Sequence, residues 1–423
     1  MPTILLAAAL ACGGTPAISV TPATRAGQAP TVVVGGAKPG GLVRVEARRP
    51  NPWNGAQLFG SHATFRADRC GQARLSQAPV EGSWTGSDPR AFLWSMTNTG
   101  EASPAGLTSG EVRLSADVNG DGRADAKASL PMPSGPRVAE VPLGPTQPGA
   151  FLLHPAPGQR RPLIVLLGGS EGGDGFARAS AGRLLTAGYA VLGLPYYTPG
   201  YAPGPKIAGL PDAFVDIPLD RLEAAIAWAR ARPDIGRVGV YGVSKGAEFA
   251  LAAASRMDGI DAVAAIVPSD VIWEGWGMRT TPGATSSFSW RGEPLPFVPY
   301  KGMDEVLAKF ARGERARIRD PHDAGRAANA ERVAPARIAV ERIAAPVLIA
   351  GGGKDETWAS GDMAAAIGRT RAAVGLPTVT LIFPEAGHAL SGTGDAPASA
   401  AEARAQSVVW AATLDLFERA LKN

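Results

Sequence analysis

The chain has 423 residues, of which 45% are hydrophobic and 19% charged, and its formal net charge is +4. This length suits two domains, and the apolar content is high enough to exclude global disorder. Lys and Arg form no dense block interleaved with aromatic residues, so the charge pattern gives no support for nucleic-acid binding. The longest apolar run, Ile4–Cys12, is well short of the roughly 20 residues that span a bilayer, and we expect no transmembrane helix.

The first residues resemble an export signal. Residues 4–11 are apolar and are followed by Cys12, two glycines and a stretch rich in Thr, Pro and Ala. We therefore expect a signal segment over residues 1–16 and an exported protein, periplasmic or associated with the cell envelope. No Lys or Arg precedes the apolar run, so a cytoplasmic protein is the alternative. Ala9-Leu10-Ala11 before Cys12 loosely resembles a lipoprotein cleavage box, which makes a lipid anchor at Cys12 a further possibility.

Short alternating runs occupy residues 30–130. Hydrophobic and polar residues alternate along Leu42–Ala47, His62–Ala67 and Glu111–Ala116, and turn-forming residues bound each run. This pattern is typical of antiparallel strands. We predict an immunoglobulin-like β-sandwich over residues 17–135, ended by a linker rich in proline.

Solid apolar runs alternate with helical patterns in the second part of the chain, which we assign to a domain over residues 136–423. Such runs are typical of parallel strands covered by helices on both faces. The predicted strands are Leu163–Leu167, Tyr189–Leu194, Val238–Gly242, Val263–Val267, Pro346–Ala350 and Val379–Phe383. The alternation predicts an α/β fold with a doubly wound, mostly parallel sheet.

Residues 270–343 interrupt this alternation as a long insertion rich in aromatic residues. These are Trp273, Trp276, Phe288, Trp290, Phe297 and Tyr300. If exposed, the rings would cap a site and line an apolar pocket. The alternative is that they fill a small satellite core.

The sequence Gly242-Val243-Ser244-Lys245-Gly246 lies directly between a predicted strand and a predicted helix. A strand that turns at once into a helix brings the chain close to itself, so the positions two residues from the serine require glycine. The turn would hold the Ser244 hydroxyl at the carboxyl edge of the sheet, beside a helix N-terminus. We predict that Ser244 is a nucleophile; a serine that merely caps a helix is the alternative.

A serine nucleophile needs a base that a carboxylate orients. His388 follows the predicted strand over residues 378–383, where the chain order serine, acid, histidine places the base. His62 and His154 precede the serine and do not fit this order. His322 has no strand before it, and we interpret it as a histidine in a surface turn.

The acid and the oxyanion hole follow from the same topology. Asp355 lies on the loop after the strand Pro346–Ala350 and is the predicted acid. The adjacent Glu356 is its rival for this role, and an ordinary solvated loop carboxylate is the alternative. The backbone amides of Lys245 and Ser170 are the predicted oxyanion donors. The loop that carries Ser170 is rich in glycine, but it lacks the Gly-Lys-Ser/Thr ending of a phosphate-binding loop.

Four motifs surround the predicted site: Leu-Gly-Gly-Ser-Glu-Gly-Gly at 167–173, Gly-Val-Ser-Lys-Gly-Ala-Glu at 242–248, Lys-Asp-Glu-Thr-Trp-Ala-Ser at 354–360 and Ala-Gly-His at 386–388. These motifs resemble the acyl-CoA thioesterase and bile acid-CoA:amino acid N-acyltransferase family, which is related to dienelactone hydrolases. Residues 61–68, 82–89 and 93–96 resemble the N-terminal β-sandwich of the same family. The resemblance implies an α/β-hydrolase with a catalytic site at Ser244, Asp355 and His388 and no cofactor.

The resemblance also narrows the expected reaction. Family members that conjugate an acyl group to an amino acid use cysteine as nucleophile, so Ser244 favours hydrolysis. We expect an esterase or thioesterase that works on a small-molecule acyl substrate through an acyl-Ser244 intermediate. An N-acyltransferase is the first alternative, and a non-catalytic binding protein is the second. Export would favour a carboxylic ester or small thioester over acyl-CoA.

Metal binding has little support in the sequence. Cys12 and Cys70 are too few for a disulfide framework and lack zinc spacing. The segment Asp117–Asp125 has carboxylates at alternate positions, like a calcium loop, but Ala128 stands where a bidentate Glu belongs. A polar hairpin turn is the preferred interpretation.

Overall fold

The computed structural model describes residues 12, 14–23, 29–50, 57–108, 110–132, 138–199, 206–277, 283, 285–391 and 399–422. Most of the predicted signal segment and the predicted domain boundary at residue 135 lie outside the described residues. The chain divides into two compact units, residues 1–134 with 395–407 and residues 135–394 with 408–423. Within the described ranges, no helix has the length and apolarity needed to cross a membrane.

The part of the first unit that precedes residue 135 is built from antiparallel strands and one short helix. Its elements are β1 (Ala17–Thr21), β2 (Thr31–Gly35), β3 (Leu42–Pro50), β4 (Gln57–Arg66), β5 (Ala73–Arg74), β6 (Glu81–Gly82), α1 (Ala91–Trp94), β7 (Thr97–Ala102), β8 (Glu111–Asp117) and β9 (Ala126–Pro131). One sheet has the order β1-β2-β5 and the other β6-β4-β3-β8-β9, with β7 also paired to β4.

Side chains from both sheets form one hydrophobic core, as the alternation along the strands predicts. Val34 of the smaller sheet and Val45 and Leu114 of the larger one belong to the same buried cluster. Val45 lies opposite Ala63 on one side and Ala116 on the other, so small and branched residues share the inner face. The first unit is therefore a β-sandwich.

A disulfide joins Cys12 to Cys70 within this unit. The two cysteines are 58 residues apart in the sequence. We did not predict this pairing, because two cysteines carry no spacing pattern that distinguishes a single bridge from two thiols.

The second unit contains the remaining elements, except that residues 400–407 of the last helix are grouped with the first unit. Its strands are β10 (Glu140–Pro142), β11 (Phe151–Leu153), β12 (Arg161–Leu167), β13 (Ala190–Gly193), β14 (Ile217–Pro218), β15 (Ile235–Val243), β16 (Ala262–Ile266), β17 (Phe288–Trp290), β18 (Glu293–Pro294), β19 (Val347–Gly352) and β20 (Thr378–Phe383). Its helices are α2 (Gly175–Thr186), α3 (Asp220–Arg230), α4 (Lys245–Ala254), α5 (Met303–Ala311), α6 (Arg319–Ala328), α7 (Ala330–Ala336), a 3₁₀ turn (Val340–Arg342) and α8 (Ser360–Ala373). The helix α9 (Ala400–Phe417) and a π-helical turn (Glu418–Lys422) end the chain.

Eight strands form the main sheet in the order β10-β11-β13-β12-β15-β16-β19-β20. The pairs from β13 to β20 are parallel, and the two pairs that involve β11 are antiparallel. All six predicted parallel strands are present, which confirms the α/β-hydrolase fold class. Because β15, β16, β19 and β20 are neighbours, the loops that follow them meet at one edge of the sheet.

The aromatic residues of the insertion are buried or half-buried, so they do not form the exposed cluster that we considered; the capping role of the insertion stays a prediction. Phe288 lies in the main hydrophobic core, whereas Trp273 belongs to a separate small cluster with Trp358 and Met363. The strand β17 pairs with β14 and β18 in a three-stranded sheet, which joins the insertion by backbone hydrogen bonds to residues 217–218 outside it.

Candidate active site

Ser244 lies at a strained turn between β15 and α4. Its φ and ψ are 55° and −122°, a conformation that residues other than glycine rarely adopt. A Cβ atom on Gly242 would lie 2.2 Å from the Gly246 carbonyl oxygen, and one on Gly246 would lie 2.2 Å from that of Gly168. The absence of side chains at both glycines therefore allows the sharp turn, which presents Ser244 at the carboxyl end of β15.

Three side chains from the ends of three strands form a hydrogen-bonded chain. The Oγ of Ser244 lies 2.9 Å from Nε2 of His388, and Nδ1 of His388 lies 2.8 Å from Oδ2 of Asp355. These distances allow the imidazole to take the hydroxyl proton while the carboxylate fixes the tautomer. The structure thus brings together the three residues selected from the sequence, and their catalytic roles stay predictions.

Both carboxylate oxygens of Asp355 accept hydrogen bonds. Oδ1 accepts from the backbone amides of Thr357 at 2.8 Å and Trp358 at 3.3 Å, and Oδ2 accepts from the Ser360 hydroxyl as well as from His388. Burial alone would raise the pKa of Asp355, but His388, Ser360 and Thr357 favour the carboxylate and hold the pKa below its ordinary value. Asp355 is therefore ionised at neutral pH and can stabilise an imidazolium.

The adjacent acidic residue has a different environment. The side chain of Glu356 is 57% exposed and pairs with Arg315 at 3.6 Å. Among the contacts of the described residues, His388 pairs with Asp355 and not with Glu356. The geometry therefore separates two neighbours that the sequence left as rivals.

The glycine-rich loop after β12 lies beside the nucleophile candidate. A Cβ atom on Gly169 would lie 3.2 Å from Cβ of Ser244. The Tyr196 hydroxyl donates to the Gly168 carbonyl at 2.5 Å, and burial raises the pKa of Tyr196 well above its ordinary value, so it keeps this proton. The Gly169 amide donates to a carboxylate oxygen of Glu171 at 2.8 Å.

This loop is where we expected the second oxyanion donor. The structure places Gly169, one position before Ser170, against Ser244. Lys245 directly follows the nucleophile candidate at the first position of α4, where the backbone N–H points out of the helix end. The oxyanion roles of the Ser170 and Lys245 amides stay predictions.

Trp358 and Ser360 are site residues that the sequence analysis missed. The indole N–H of Trp358 donates to the Val267 carbonyl at 3.1 Å, and its ring packs edge-on against His388 with the centroids 5.8 Å apart. Ser360 donates to Asp355. Both lie in the motif at 354–360, but spacing alone did not show which residue contacts the acid or the base.

The interpretation of His322 as a surface residue was wrong. His322 lies on α6, is 4% exposed, and packs edge-on against Trp273, Tyr300 and Trp358 at centroid distances of 4.6, 4.8 and 5.6 Å. Its Nδ1 donates to the Ile318 carbonyl at 2.8 Å. The charged residues around it suggested a surface turn, but α6 turns its histidine inward. Burial lowers the pKa of His322 to about 4.

No group of three or more His, Cys, Asp or Glu side chains in the described part of the chain could hold a metal ion. In the segment Asp117–Asp125, the carboxylate of Asp117 accepts hydrogen bonds from backbone amides. The donors are Gly120 at 2.6 Å and Gly122 at 2.8 Å. The segment joins the antiparallel strands β8 and β9, which fits the hairpin-turn interpretation.

Comparisons with known proteins identify the same family for both units. A model of the acyl-CoA thioester hydrolase/BAAT N-terminal region matches residues 28–118, and a model of the BAAT/acyl-CoA thioester hydrolase C-terminal region matches residues 217–392. Together they cover more than half of the chain.

Curated relatives carry the same description. The chain is 30% identical over 221 residues to mitochondrial acyl-coenzyme A thioesterase 2 of Mus musculus, a match over 49% of this chain and 46% of that protein. It is 28% identical over 350 residues to acyl-coenzyme A thioesterase 1 of Homo sapiens, over 78% of this chain and 75% of that protein. The chain thus spans about half the length of the mouse relative.

Among solved structures, the chain is similar to an acylaminoacyl peptidase from Pyrococcus horikoshii, at 14% sequence identity and a TM-score of 0.44, over 87% of this chain and 49% of that chain.

Ser244, Asp355 and His388 all lie within the range of the C-terminal family model. On the two family matches and the curated relatives, the chain belongs to the acyl-CoA thioester hydrolase/BAAT family.

Proposed function

We propose that this chain is a serine hydrolase that cleaves small-molecule acyl thioesters or esters through an acyl-Ser244 intermediate. The observation that carries the proposal is the hydrogen-bonded chain from Ser244 through His388 to Asp355, with distances of 2.9 and 2.8 Å. In the first half-reaction, Ser244 Oγ attacks the acyl carbonyl carbon while Nε2 of His388 takes the hydroxyl proton. Asp355 stabilises the resulting imidazolium.

The leaving group departs as the tetrahedral intermediate collapses. His388 gives its proton to the departing thiolate or alkoxide, which leaves as a thiol or an alcohol. In the second half-reaction His388 takes a proton from water, the hydroxide attacks the acyl carbon, and Ser244 recovers its proton as the carboxylic acid is released. The predicted oxyanion donors, the amides of Lys245 and Ser170, would stabilise the negative charge in both halves.

The substrate class is supported by the family. The relatives named above are acyl-coenzyme A thioesterases by description, so an acyl thioester is the first substrate to test. A panel of acyl-CoAs, simple thioesters and chromogenic esters, assayed with the purified protein, tests this class. Turnover of none of these by wild-type protein, together with no labelling of Ser244 by an organophosphonate, would contradict the proposal.

The acyl acceptor distinguishes a hydrolase from an N-acyltransferase. Both reactions use the same three side chains and the same acyl-enzyme, and only the second nucleophile differs. We propose water as the acceptor because the nucleophile candidate is a serine. Product analysis in the presence of glycine or taurine decides this: free carboxylic acid is expected, and an N-acyl product would favour the transferase.

We also propose that the protein works outside the reducing cytosol. The apolar run at residues 4–11 supports export, and the disulfide between Cys12 and Cys70 is of the kind that persists in oxidising compartments. The two observations agree only if cleavage of the signal segment falls before Cys12, because removal of residues 1–16 would take Cys12 with it. This disulfide and a lipid anchor on Cys12 are mutually exclusive, because each uses the same sulfur atom. Mass spectrometry of the native protein, alkylated with and without prior reduction, distinguishes a disulfide, a free thiol and a lipid.

A further inference from the structure

A buried ion pair lies one residue beyond the candidate nucleophile. The ammonium of Lys245 lies 2.7 Å from the carboxylate of Glu248, and the two side chains are only 3% and 0% exposed. Both belong to the first turn of α4, at positions i and i+3 on one face of the helix. Burying two charges costs several kcal/mol for each ion, so the arrangement calls for an explanation beyond packing.

The ammonium is enclosed by aromatic rings. Lys245 Nζ lies 5.1 Å from the ring centroids of Phe214 and Phe288 and 5.5 Å from that of Trp276. The negative faces of aromatic rings attract a cation, and most strongly where water is absent. The cage therefore holds the Lys245 side chain, and with it the first residue of α4, in one position.

Both members of the pair also bind the insertion. Lys245 Nζ donates to the Ser287 hydroxyl at 2.9 Å, and Ser287 in turn donates to the Glu274 carbonyl at 2.9 Å. The second carboxylate oxygen of Glu248 accepts the backbone N–H of Trp273 at 3.1 Å. The first turn after the nucleophile is thus hydrogen-bonded to two separate segments of the insertion.

Aromatic residues of the insertion also contact the residues around His388 and Asp355. Trp273 packs against His322 at a centroid distance of 4.6 Å, and His322 packs against Trp358 at 5.6 Å. Trp358 contacts His388 through its ring and Asp355 through its backbone N–H. A continuous series of buried contacts therefore runs from the residue after Ser244 to the candidate base and acid.

We propose that Lys245 and Glu248 are positioning residues. They bind the first turn of α4 to the insertion and so keep the Ser244 hydroxyl at hydrogen-bonding distance from His388. This inference rests on the proposed hydrolase function. Glu248 neutralises the charge of Lys245, so the pair acts through geometry and not as a catalytic cation. The amide of Lys245 is a predicted oxyanion donor, and the same contacts fix its direction. Burial lowers the pKa of Lys245 and raises that of Glu248, which shows how fully both groups are removed from water.

The decisive variant removes both charges at once. In the double variant Lys245→Met/Glu248→Gln, methionine fills the cage, and glutamine keeps an oxygen for the Trp273 amide. Because no lone buried charge remains, the melting temperature should change by only a few degrees. We expect kcat for a short chromogenic ester to fall at least tenfold while KM stays within twofold, and organophosphonate labelling of Ser244 to slow by the same factor. A double variant that folds and keeps kcat within twofold of wild type overturns the proposal.

A milder variant covers the case in which the double variant does not fold. Ser287→Ala removes only the hydroxyl that links Lys245 to the insertion, and we expect kcat to fall about threefold or more at unchanged KM. An unchanged kcat in this variant would count against the pair as a positioning device. Labelling of wild-type Ser244 tests the proposed function, whereas the variant-to-wild-type ratio of labelling rates tests the pair.

Arg371 provides a matched control, because it is a fully buried cation away from the site. It donates to the carbonyls of Val340, Ile343, Ala345 and Pro377, and the last two precede β19 and β20 at the amino edge of the sheet. Arg371→Lys should lower the melting temperature but leave kcat unchanged below it. A fall in kcat equal to that of the Lys245 and Glu248 variants would mean that loss of stability alone explains their effect.

Discussion

The imidazole of His322 packs edge-on against the indole of Trp358, with the ring centroids 5.6 Å apart and the ring planes at 86°. Trp358 makes a similar contact with His388 on the other side of the cluster, at 5.8 Å and 73°. One tryptophan thus contacts both the candidate base and a buried histidine that has no direct contact with Ser244 among the described interactions. This relationship separates the two histidines by position: His388 contacts Ser244 and Asp355, whereas His322 lies on the other side of Trp358.

Acid should destabilise the fold through His322. Its pKa is about 4 in the folded chain and about 6.5 when unfolded, so between these values the unfolded chain binds a proton that the native chain does not. Stability is therefore full above pH 6.5 and falls as the pH drops toward 4. We expect this group to contribute a loss of about 2 kcal/mol between pH 7.5 and 5.

Urea denaturation at a series of pH values measures this loss. The variant His322→Phe should be less stable at neutral pH, because the Ile318 carbonyl loses its donor, but its stability should depend less on pH over this range. His62, which is exposed on β4, is the control, and His62→Asn should keep the wild-type slope. An unchanged slope in His322→Phe would show that other groups cause the acid sensitivity.

Replacing the nucleophile should abolish turnover without unfolding the protein. Ser244→Ala removes the hydroxyl that we propose as the nucleophile, and we expect kcat to fall by about three to six orders of magnitude. The melting temperature should stay close to that of wild type, because the side-chain hydrogen bond that is lost among the described residues is the one to His388. Peptide mapping after organophosphonate treatment should find the label on Ser244; a label elsewhere, with Ser244→Ala still active, would refute the assignment.

The two neighbouring acidic residues should differ sharply. Asp355→Asn keeps the size of the side chain but removes its negative charge, and an amide N–H facing His388 Nδ1 would favour the wrong tautomer of the imidazole. We therefore expect kcat to fall by about three to four orders of magnitude. Glu356→Gln is the matched control, because the Glu356 side chain is exposed and pairs with Arg315 at the surface, and it should keep kcat within about twofold. Steady-state kinetics on one ester compares the two; equal losses would mean that the acid is misassigned.

The leaving group should contribute little to catalysis if the protein is exported. CoA thioesters are scarce outside the cytosol, so we expect the same acyl group on CoA and on a small thiol to give kcat/KM values within about tenfold, or about 1.4 kcal/mol. Parallel assays of the two thioesters on the mature protein make the comparison. A preference for CoA beyond tenfold would show that the nucleotide handle is recognised, and it would favour a cytosolic role.

Local sequence patterns were enough to predict the six parallel strands and two residues of the candidate site, Ser244 and His388. The apolar runs specified the parallel strands because burial on both faces leaves a continuous hydrophobic sequence. Gly242 and Gly246 marked the nucleophile turn because no other residue fits there. The chain order then selected His388, because parallel strands bring their carboxyl ends to one edge of the sheet.

Only the tertiary structure decided the rest, because it depends on contacts between residues far apart in the sequence. The choice of Asp355 over Glu356 follows from which carboxylate reaches His388, across 33 residues of chain. The charged sequence around His322 pointed to the surface, whereas packing against Trp273, Tyr300 and Trp358 buries the ring. Lys245 and Glu248 are polar in sequence yet buried in structure, because Ser287 and the Trp273 backbone satisfy them. Local composition cannot encode such partners, since burial is a property of the whole fold.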